Sequence, residues 1–396
     1  IIKSGDLFLD NYEELIISNG THLSVFDAKA SEIMWIINTN TTIIDFTIGD
    51  YRRAGEGKAI AYHDRENVTI IDNKGNVIYQ KQFGDLLSDA WVIQIFLNDF
   101  DADGYGELLV VTNIGTWLVD NNEATPHIDI SGNLYTIVGD FGGDGMYDIA
   151  YKMLSSGMLF VYRGNGSSLW YAHLSSDLPS RWVPDIFVYD YTLDGKDDIA
   201  FTNSTGEIVI FDGYSGAILD TIPTDIHSYA LSLDIDYMFN TPNGVAVKYA
   251  NYGFYIFDNN GATKLEFPDK SVARYQKVDI DGDGSYEYFA MTTGKIFGLN
   301  QSGLVFYKKF NRETYDMALV NVGTGNDLKL AVIEKDGFVE TLILAEMEPK
   351  ETKGPASEAP DYLSVQLERN IIYILLPVIA IIILILTLFK IRKRKY

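Results

Sequence analysis

Short apolar segments alternate with polar turns from residue 1 to about residue 345. Between residues 184 and 222, four such segments are separated by loops rich in Asp, Asn, Gly and Ser; they are 185–189, 199–202, 207–211 and 217–222. Runs of this length between such loops are typical of antiparallel hairpins. No long amphipathic helical pattern precedes residue 365. The pattern therefore predicts an all-β chain in which each repeat is a four-stranded sheet.

An acidic loop recurs in the first hairpin of each repeat. Its copies start 41 to 50 residues apart, at Asp6, Asp50, Asp99, Asp140, Asp190, Asp234, Asp279 and Asn321. A period in this range, built from short strands, is the signature of a β-propeller with one repeat per blade. Eight copies predict eight blades, and seven is the alternative, because residues 317–344 supply only three clear strands. The last blade is then either short or completed by a strand from elsewhere in the chain.

Two copies of the loop carry every residue of the pattern D-x-D-x-D-G-x-x-[DE]. In such a loop, positions one, three, five and nine offer carboxylates, position seven offers its carbonyl, and Gly at position six permits the turn. Hard oxygen ligands at this spacing suit Ca²⁺, and so many carboxylates would repel one another without a cation. The predicted ligands are Asp99, Asp101, Asp103, Tyr105 and Glu107 in one loop, and Asp279, Asp281, Asp283, Ser285 and Glu287 in the other.

Two further copies lack the acid at position three but are also predicted to bind Ca²⁺. Gly142 takes that position in one loop, and Thr192, whose hydroxyl or a water could replace the carboxylate, takes it in the other. The predicted ligands are Asp140, Asp144, Met146 and Asp148 in the first, and Asp190, Thr192, Asp194, Lys196 and Asp198 in the second. The remaining copies are interpreted as structural turns, including the one at Asp6, which keeps three acids but has no Gly at position six.

Three stretches resemble the FG-GAP (VCBS) repeats of integrin α-subunit propellers and of microbial surface proteins. They are NDFDADGYGELLVV, GDFGGDGMYDIAY and VDIDGDGSYEYFA, at 98–111, 139–151 and 278–290. The resemblance implies a propeller whose loops hold Ca²⁺ at one face, while the opposite face or the rim binds proteins or sugars. The second halves of the repeats, such as GEIVIFDGYSGAIL at 206–219, look like quinoprotein-type propeller repeats.

The C-terminal part predicts a membrane anchor. Residues 371–389 are 19 apolar residues without a charge, which as a helix span about 28 Å, close to one hydrocarbon core. Five basic residues follow at once, namely Lys390, Arg392, Lys393, Arg394 and Lys395. The positive-inside rule then places the tail in the cytoplasm and the propeller outside, with a signal peptide removed before Ile1. The predicted organisation is a propeller (1–345), a linker (346–369), a transmembrane helix (370–389) and a basic tail (390–396).

The charge and composition of the chain exclude some classes of partner and of chemistry. The chain has a net charge of −24, which repels nucleic acid, and it has no cysteine, which excludes disulfides and thiolate chemistry. Six N-x-[ST] sequons are candidate glycosylation sites, at Asn19, Asn40, Asn67, Asn165, Asn203 and Asn300.

Catalytic motifs are missing from the sequence. The five histidines fall at unrelated positions of different repeats, no nucleophile elbow or P-loop occurs, and the paired carboxylates are explained as ion ligands. The sequence therefore predicts a non-enzymatic cell-surface propeller, braced by Ca²⁺, that mediates protein or glycan binding or adhesion. The alternative is an accessory subunit of a larger membrane or envelope complex, and a quinoprotein-like enzyme is the less favoured third interpretation.

Overall fold

A computed structural model describes residues 1–343 except 31, 52–56, 84–89, 122, 129–133, 154–155, 175–185, 204–206, 225–229, 236–243, 250–252, 259–262, 268–270, 281–285, 301–302, 323–327 and 335–338. Every regular element in these residues is a β-strand. The all-β prediction is confirmed.

The strands are short and follow one another at regular intervals. The first three sheets contain β1 (Ile2–Gly5), β2 (Glu14–Ser18), β3 (His22–Asp27), β4 (Glu32–Asn38), β5 (Asp45–Gly49), β6 (Ala59–His63), β7 (Asn67–Ile71), β8 (Val77–Gln82), β9 (Val92–Asn98), β10 (Glu107–Thr112), β11 (Gly115–Asp120) and β12 (Glu123–Pro126). The next three contain β13 (Leu134–Gly139), β14 (Asp148–Met153), β15 (Met158–Tyr162), β16 (Ser168–His173), β17 (Ile186–Tyr189), β18 (Asp198–Thr202), β19 (Ile208–Phe211), β20 (Ile218–Ile222), β21 (Ala230–Ile235), β22 (Gly244–Tyr249), β23 (Gly253–Asp258) and β24 (Thr263–Glu266). The last two contain β25 (Arg274–Val278), β26 (Glu287–Thr292), β27 (Lys295–Asn300), β28 (Gly303–Lys309), β29 (Thr314–Asn321), β30 (Leu328–Glu334) and β31 (Val339–Ile343).

Each sheet is an antiparallel meander in which strands adjacent in sequence are paired. Seven sheets, from β1–β4 to β25–β28, have four strands, and β29–β31 form a sheet of three described strands. The structure is therefore a β-propeller with seven four-stranded blades, which is the alternative number predicted from the sequence. The main prediction of eight four-stranded blades is not met, because the eighth copy of the repeat forms a sheet of three described strands. That sheet corresponds to the last copy of the repeat, in which the sequence shows only three clear strands.

The position of a strand within its blade determines its residue pattern. The second strands β2, β6 and β10 are buried along their whole length, because blades pack on both of their faces. These strands are therefore nearly continuous apolar runs. The outermost strand β4 instead alternates between exposed and half-buried residues, because one of its faces meets solvent.

The hydrophobic core is divided into clusters between adjacent sheets, as expected for a propeller. Between the three-stranded sheet and the first blade, for example, Val320 and Ala331 pack with Leu15. At the same junction the Glu13 N–H donates to the Asn321 carbonyl (2.8 Å), and the Asn321 N–H donates to Glu13 Oε2 (2.9 Å). These contacts close the ring.

The meander gives the ring two different ends. In each blade, the loop between the first and second strands lies at the same end as the turn between the third and fourth strands. We call this end the ion-loop face, because it carries the acidic loops. The second strands end and the third strands begin on the opposite face, where the described turn 19–21 and the described connection 39–44 also lie.

The predicted transmembrane helix, residues 370–389, lies outside the described residues, as do the predicted linker and tail. Among the residues that are described, no helix is long and apolar enough to cross a membrane.

Candidate metal centre

The loop between β9 and β10 begins with Asp99, whose carboxylate organises the backbone. Asp99 Oδ2 accepts the Gly104 N–H (2.8 Å), and Asp99 Oδ1 accepts the Asp103 N–H (3.2 Å). Ala102 and Gly104 both have left-handed backbones, with φ of 62° and 87°. Phe100 is fully buried and anchors the loop in the core, and burying such a side chain contributes roughly 1.5–3 kcal/mol.

Four acidic side chains converge in this loop. One carboxylate oxygen from each lies within 4.8 Å of the others, and the residues are Asp99, Asp101, Asp103 and Glu107. Within the described parts of the chain, this is the only group of three or more potential metal-ligating side chains that converges in this way. The four predicted side-chain ligands of this loop are thus brought together, whereas the Tyr105 carbonyl as a fifth ligand stays a prediction.

Glu107 is the most informative residue of the group. It is the first residue of β10, is only 1% exposed, and accepts the Phe100 N–H at Oε2 (2.8 Å). Its Oε1 is buried and has no hydrogen-bond partner among the described residues. Burial raises the pKa of Glu107 to about 7, and the charges of Asp101 and Asp99 add to the effect. A cation beside this oxygen would supply the missing partner and balance the repulsion, so the residues fit a hard divalent ion.

The second loop with a complete motif is described only at its two ends. Asp281, Asp283 and Ser285 lie outside the described residues. Glu287 begins β26 and accepts the Ile280 N–H at Oε2 (3.0 Å), which matches the bond between Glu107 and Phe100. The Asp279 site stays a prediction.

The loops at Asp140 and Asp190 have the same backbone but a different side-chain arrangement. The N–H of Gly145 donates to Asp140 Oδ2 and that of Gly195 to Asp190 Oδ2, both at 2.9 Å. Asp148 and Asp198 are buried at position nine, and burial raises the pKa of each carboxyl to about 6. However, neither loop brings three carboxylates together as the Asp99 loop does.

Basic side chains also approach the acids of these two loops. Arg163 Nη1 lies 3.8 Å from Asp144 Oδ2, and Lys196 Nζ lies 3.8 Å from Asp194 Oδ2. Both pairs are partly exposed, so each contributes little to stability. Their positive charges nevertheless compete with a bound cation for the same carboxylates. The Ca²⁺ binding predicted from the sequence for these two loops, with Met146, Thr192 and Lys196 among the ligands, is not tested by the structure. Because their acids do not converge and a basic group lies beside each loop, we expect the Asp99 loop to bind the ion more tightly than these two.

The loop at Asp6, for which the sequence predicts a structural turn, has a backbone that matches the Asp99 loop. Asp6 accepts the N–H groups of Asp10 and Asn11, both at 3.0 Å, and Asn11 adopts a left-handed backbone with φ of 69°. Glu14 is buried and accepts the Leu7 N–H (2.9 Å), and burial raises its pKa to about 7. Asn is the residue that most readily replaces Gly in this conformation, and this was the signal available in the sequence.

Neighbouring acidic loops are joined by main-chain hydrogen bonds. The Tyr147 N–H donates to the Asp99 carbonyl, and the Asp197 N–H donates to the Asp140 carbonyl, each at 2.9 Å. Gly106 occupies the position equivalent to Tyr147, and a Cβ there would lie 2.0 Å from the Asp50 carbonyl oxygen. A side chain at residue 106 would therefore clash with the preceding sheet, whereas the equivalent Tyr147 and Asp197 each carry one.

Comparison with known proteins supports the β-propeller fold but identifies no family. No protein-family model and no curated protein matches the chain. Among solved structures, the chain is similar to Sqt1 of Saccharomyces cerevisiae, with 13% identity and a TM-score of 0.64 over 86% of this chain and 95% of that one. It is also similar to BamB of Moraxella catarrhalis, with 12% identity and a TM-score of 0.56 over 85% and 95%. BBS1N, crystallised in complex with ARL6DN, shows 13% identity and a TM-score of 0.51 over 87% and 91%. At these identities the likeness shows the β-propeller fold alone.

Proposed function

We propose that the chain is a non-enzymatic, calcium-braced propeller, anchored in the cell membrane by residues 370–389, that displays its ring outside the cell and binds a protein or glycan. The apolar run, the basic tail and the FG-GAP resemblance support the anchored, outward placement. Propellers are commonly scaffolds for interaction, which supports a binding function rather than catalysis.

The proposal of calcium binding depends on the buried Oε1 atom of Glu107, which has no hydrogen-bond partner among the described residues. A buried carboxylate oxygen without a partner is costly unless a ligand completes it. One carboxylate oxygen of Glu107 and one from each of three further acids lie within 4.8 Å of one another, and a set of oxygen donors suits Ca²⁺. Mg²⁺ prefers to keep several waters and is less suited to so many protein ligands.

Calcium binding to the full chain in mild detergent tests this part. Titration calorimetry should detect Ca²⁺ binding to the native chain, and Glu107→Gln should abolish binding at the Asp99 loop. Glu123→Gln changes an exposed acid at the start of β12 in the same sheet, and this matched control should bind as the native chain does. Equal binding by the native chain and Glu107→Gln would contradict a site in this loop.

An accessory subunit of a membrane assembly is the second candidate. It is supported by BBS1N, a structural neighbour that was crystallised with a partner protein. Mild detergent extraction from the native membrane distinguishes the two candidates, because a subunit should co-purify with partners in a fixed ratio. A free-standing surface propeller should instead run as a single species in sizing experiments.

A further inference from the structure

The six sequons differ in how the structure presents them. N-glycosylation joins the Asn Nδ2 atom to the anomeric carbon of a sugar while the bond from that carbon to a lipid-linked phosphate breaks. The lipid phosphate leaves with the electron pair and takes up the proton lost by Nδ2. The acceptor Nδ2 must therefore be accessible, and a hydrogen bond from it to a carboxylate competes with the transfer.

Two sequons on the opposite face of the first blade meet these requirements. Asn19, in the turn between β2 and β3, is exposed, and its Oδ1 accepts the His22 N–H (3.0 Å), which occupies the amide oxygen. Asn40, in the connection from β4 to β5, is exposed together with Thr42, the third residue of its sequon. Within the described residues, neither Nδ2 donates a hydrogen bond.

A third accessible sequon lies on the ion-loop face. Asn165, in the turn between β15 and β16, is exposed, as is Ser167, the third residue of the sequon. Asn165 Oδ1 accepts the Ser167 N–H (3.0 Å). This bond again occupies the amide oxygen, and among the described contacts Nδ2 donates to no acceptor.

The sequon at Asn67 does not meet these requirements. Its Nδ2 donates to both carboxylate oxygens of Asp64, each at 3.1 Å. The sequon continues into the central strand β7, where Thr69 is only 3% exposed and packs inside the blade. Transfer to Asn67 would require β7 to leave the sheet.

We propose that Asn19, Asn40 and Asn165 are N-glycosylation sites and that Asn67 stays unmodified in the folded protein. This inference rests on the outward placement in the proposed function, because the transfer takes place on the exported side of the membrane. It does not cover Asn203 and Asn300, since the rest of each of these sequons lies outside the described residues. The donor required is a lipid-phosphate-linked oligosaccharide with its transferase.

Expression of the full chain with an export signal, in a host that has an N-glycosylation pathway, tests the proposal. Glycopeptide mass spectrometry should find glycans at Asn19, Asn40 and Asn165 and none at Asn67. The variants Asn19→Gln, Asn40→Gln and Asn165→Gln should each lose one glycan's mass on a gel. Asn67→Gln is the matched control and should migrate as the native chain does.

A separate probe establishes where the propeller lies. The chain has no cysteine, so Tyr171→Cys, at a residue 70% exposed, creates a single thiol for a membrane-impermeant reagent. If this thiol is labelled from outside and the three sites carry no glycan, or if Asn67 carries one, the inference is overturned while the placement stands. If the thiol of the intact cell is not labelled, the placement fails, and the inference fails with it.

Discussion

The loops at Asp99 and Asp190 share one backbone and differ in chemistry. In both, the first Asp accepts N–H groups from positions five and six, and position four is left-handed, at Ala102 and Leu193. Only the Asp99 loop brings its carboxylates together. The backbone of the loop is therefore shaped by positions one, four and six, whereas the convergence of acids also involves position three, where Asp101 in one loop is replaced by Thr192 in the other. A single motif in the sequence combines two separable properties.

The largest effect should come from removing the first Asp of each loop. Asp99→Ala and Asp190→Ala each remove two hydrogen bonds to the backbone, so each should lower the free energy of unfolding in chelator by about 1–3 kcal/mol. Urea unfolding with and without Ca²⁺ measures this. Only Asp99→Ala should also lose stabilisation by Ca²⁺, and an equal loss in Asp190→Ala would show that both loops bind the ion.

Calcium affinity should depend on pH through Glu107. Because its pKa is raised to about 7, protons compete with Ca²⁺ in the neutral range, and binding releases a proton below that pH. Calorimetric titrations should show the affinity falling roughly fivefold from pH 7 to pH 6 if this single carboxyl, with a pKa of about 7, must deprotonate. An affinity that stays constant down to pH 5 would mean that Glu107 is not a ligand.

The Asp190 loop should gain a site when its chemistry is changed. Thr192→Asp restores the acid at position three, and Lys196→Ser removes the ammonium group that lies 3.8 Å from Asp194. The double variant should bind one Ca²⁺ more than the native chain in equilibrium dialysis. Lys196→Ser alone is the control. If the double variant binds no more Ca²⁺ than the native chain, other positions must also contribute to the difference between the two loops.

The smallest effect concerns position four. Leu193 adopts a left-handed backbone with φ of 58°, which is strained for a residue with a Cβ, whereas the equivalent Gly143 is not strained. Leu193→Gly relieves this strain in the folded protein but also increases the conformational entropy of the unfolded chain. The free energy of unfolding should therefore rise by at most about 1 kcal/mol. Thermal unfolding in chelator measures the change, and a loss of more than this amount would indicate a structural role for the exposed Leu193 side chain.

Much of the fold could be predicted from the sequence, because strand length, turn composition and a period near 45 residues all report on local structure. The four converging acids were also predicted, since they lie within nine consecutive residues. The left-handed backbone of Asn11 is not predicted by a motif that requires Gly at position six. The approach of Arg163 to Asp144 could not be predicted, because the two residues come from different turns that only the folded blade brings together.

The hydrogen bonds between neighbouring loops have a consequence for how such a chain can change over time. The donors and acceptors are main-chain atoms, as in the pairs Tyr147–Asp99 and Asp197–Asp140, so these bonds survive most exchanges of the side chains. A blade can therefore lose its carboxylates by mutation, or regain them, without releasing its neighbour. The acidic residues of one loop can therefore change by mutation without destabilising the other blades. Complete and incomplete acidic loops can then coexist in one stable molecule.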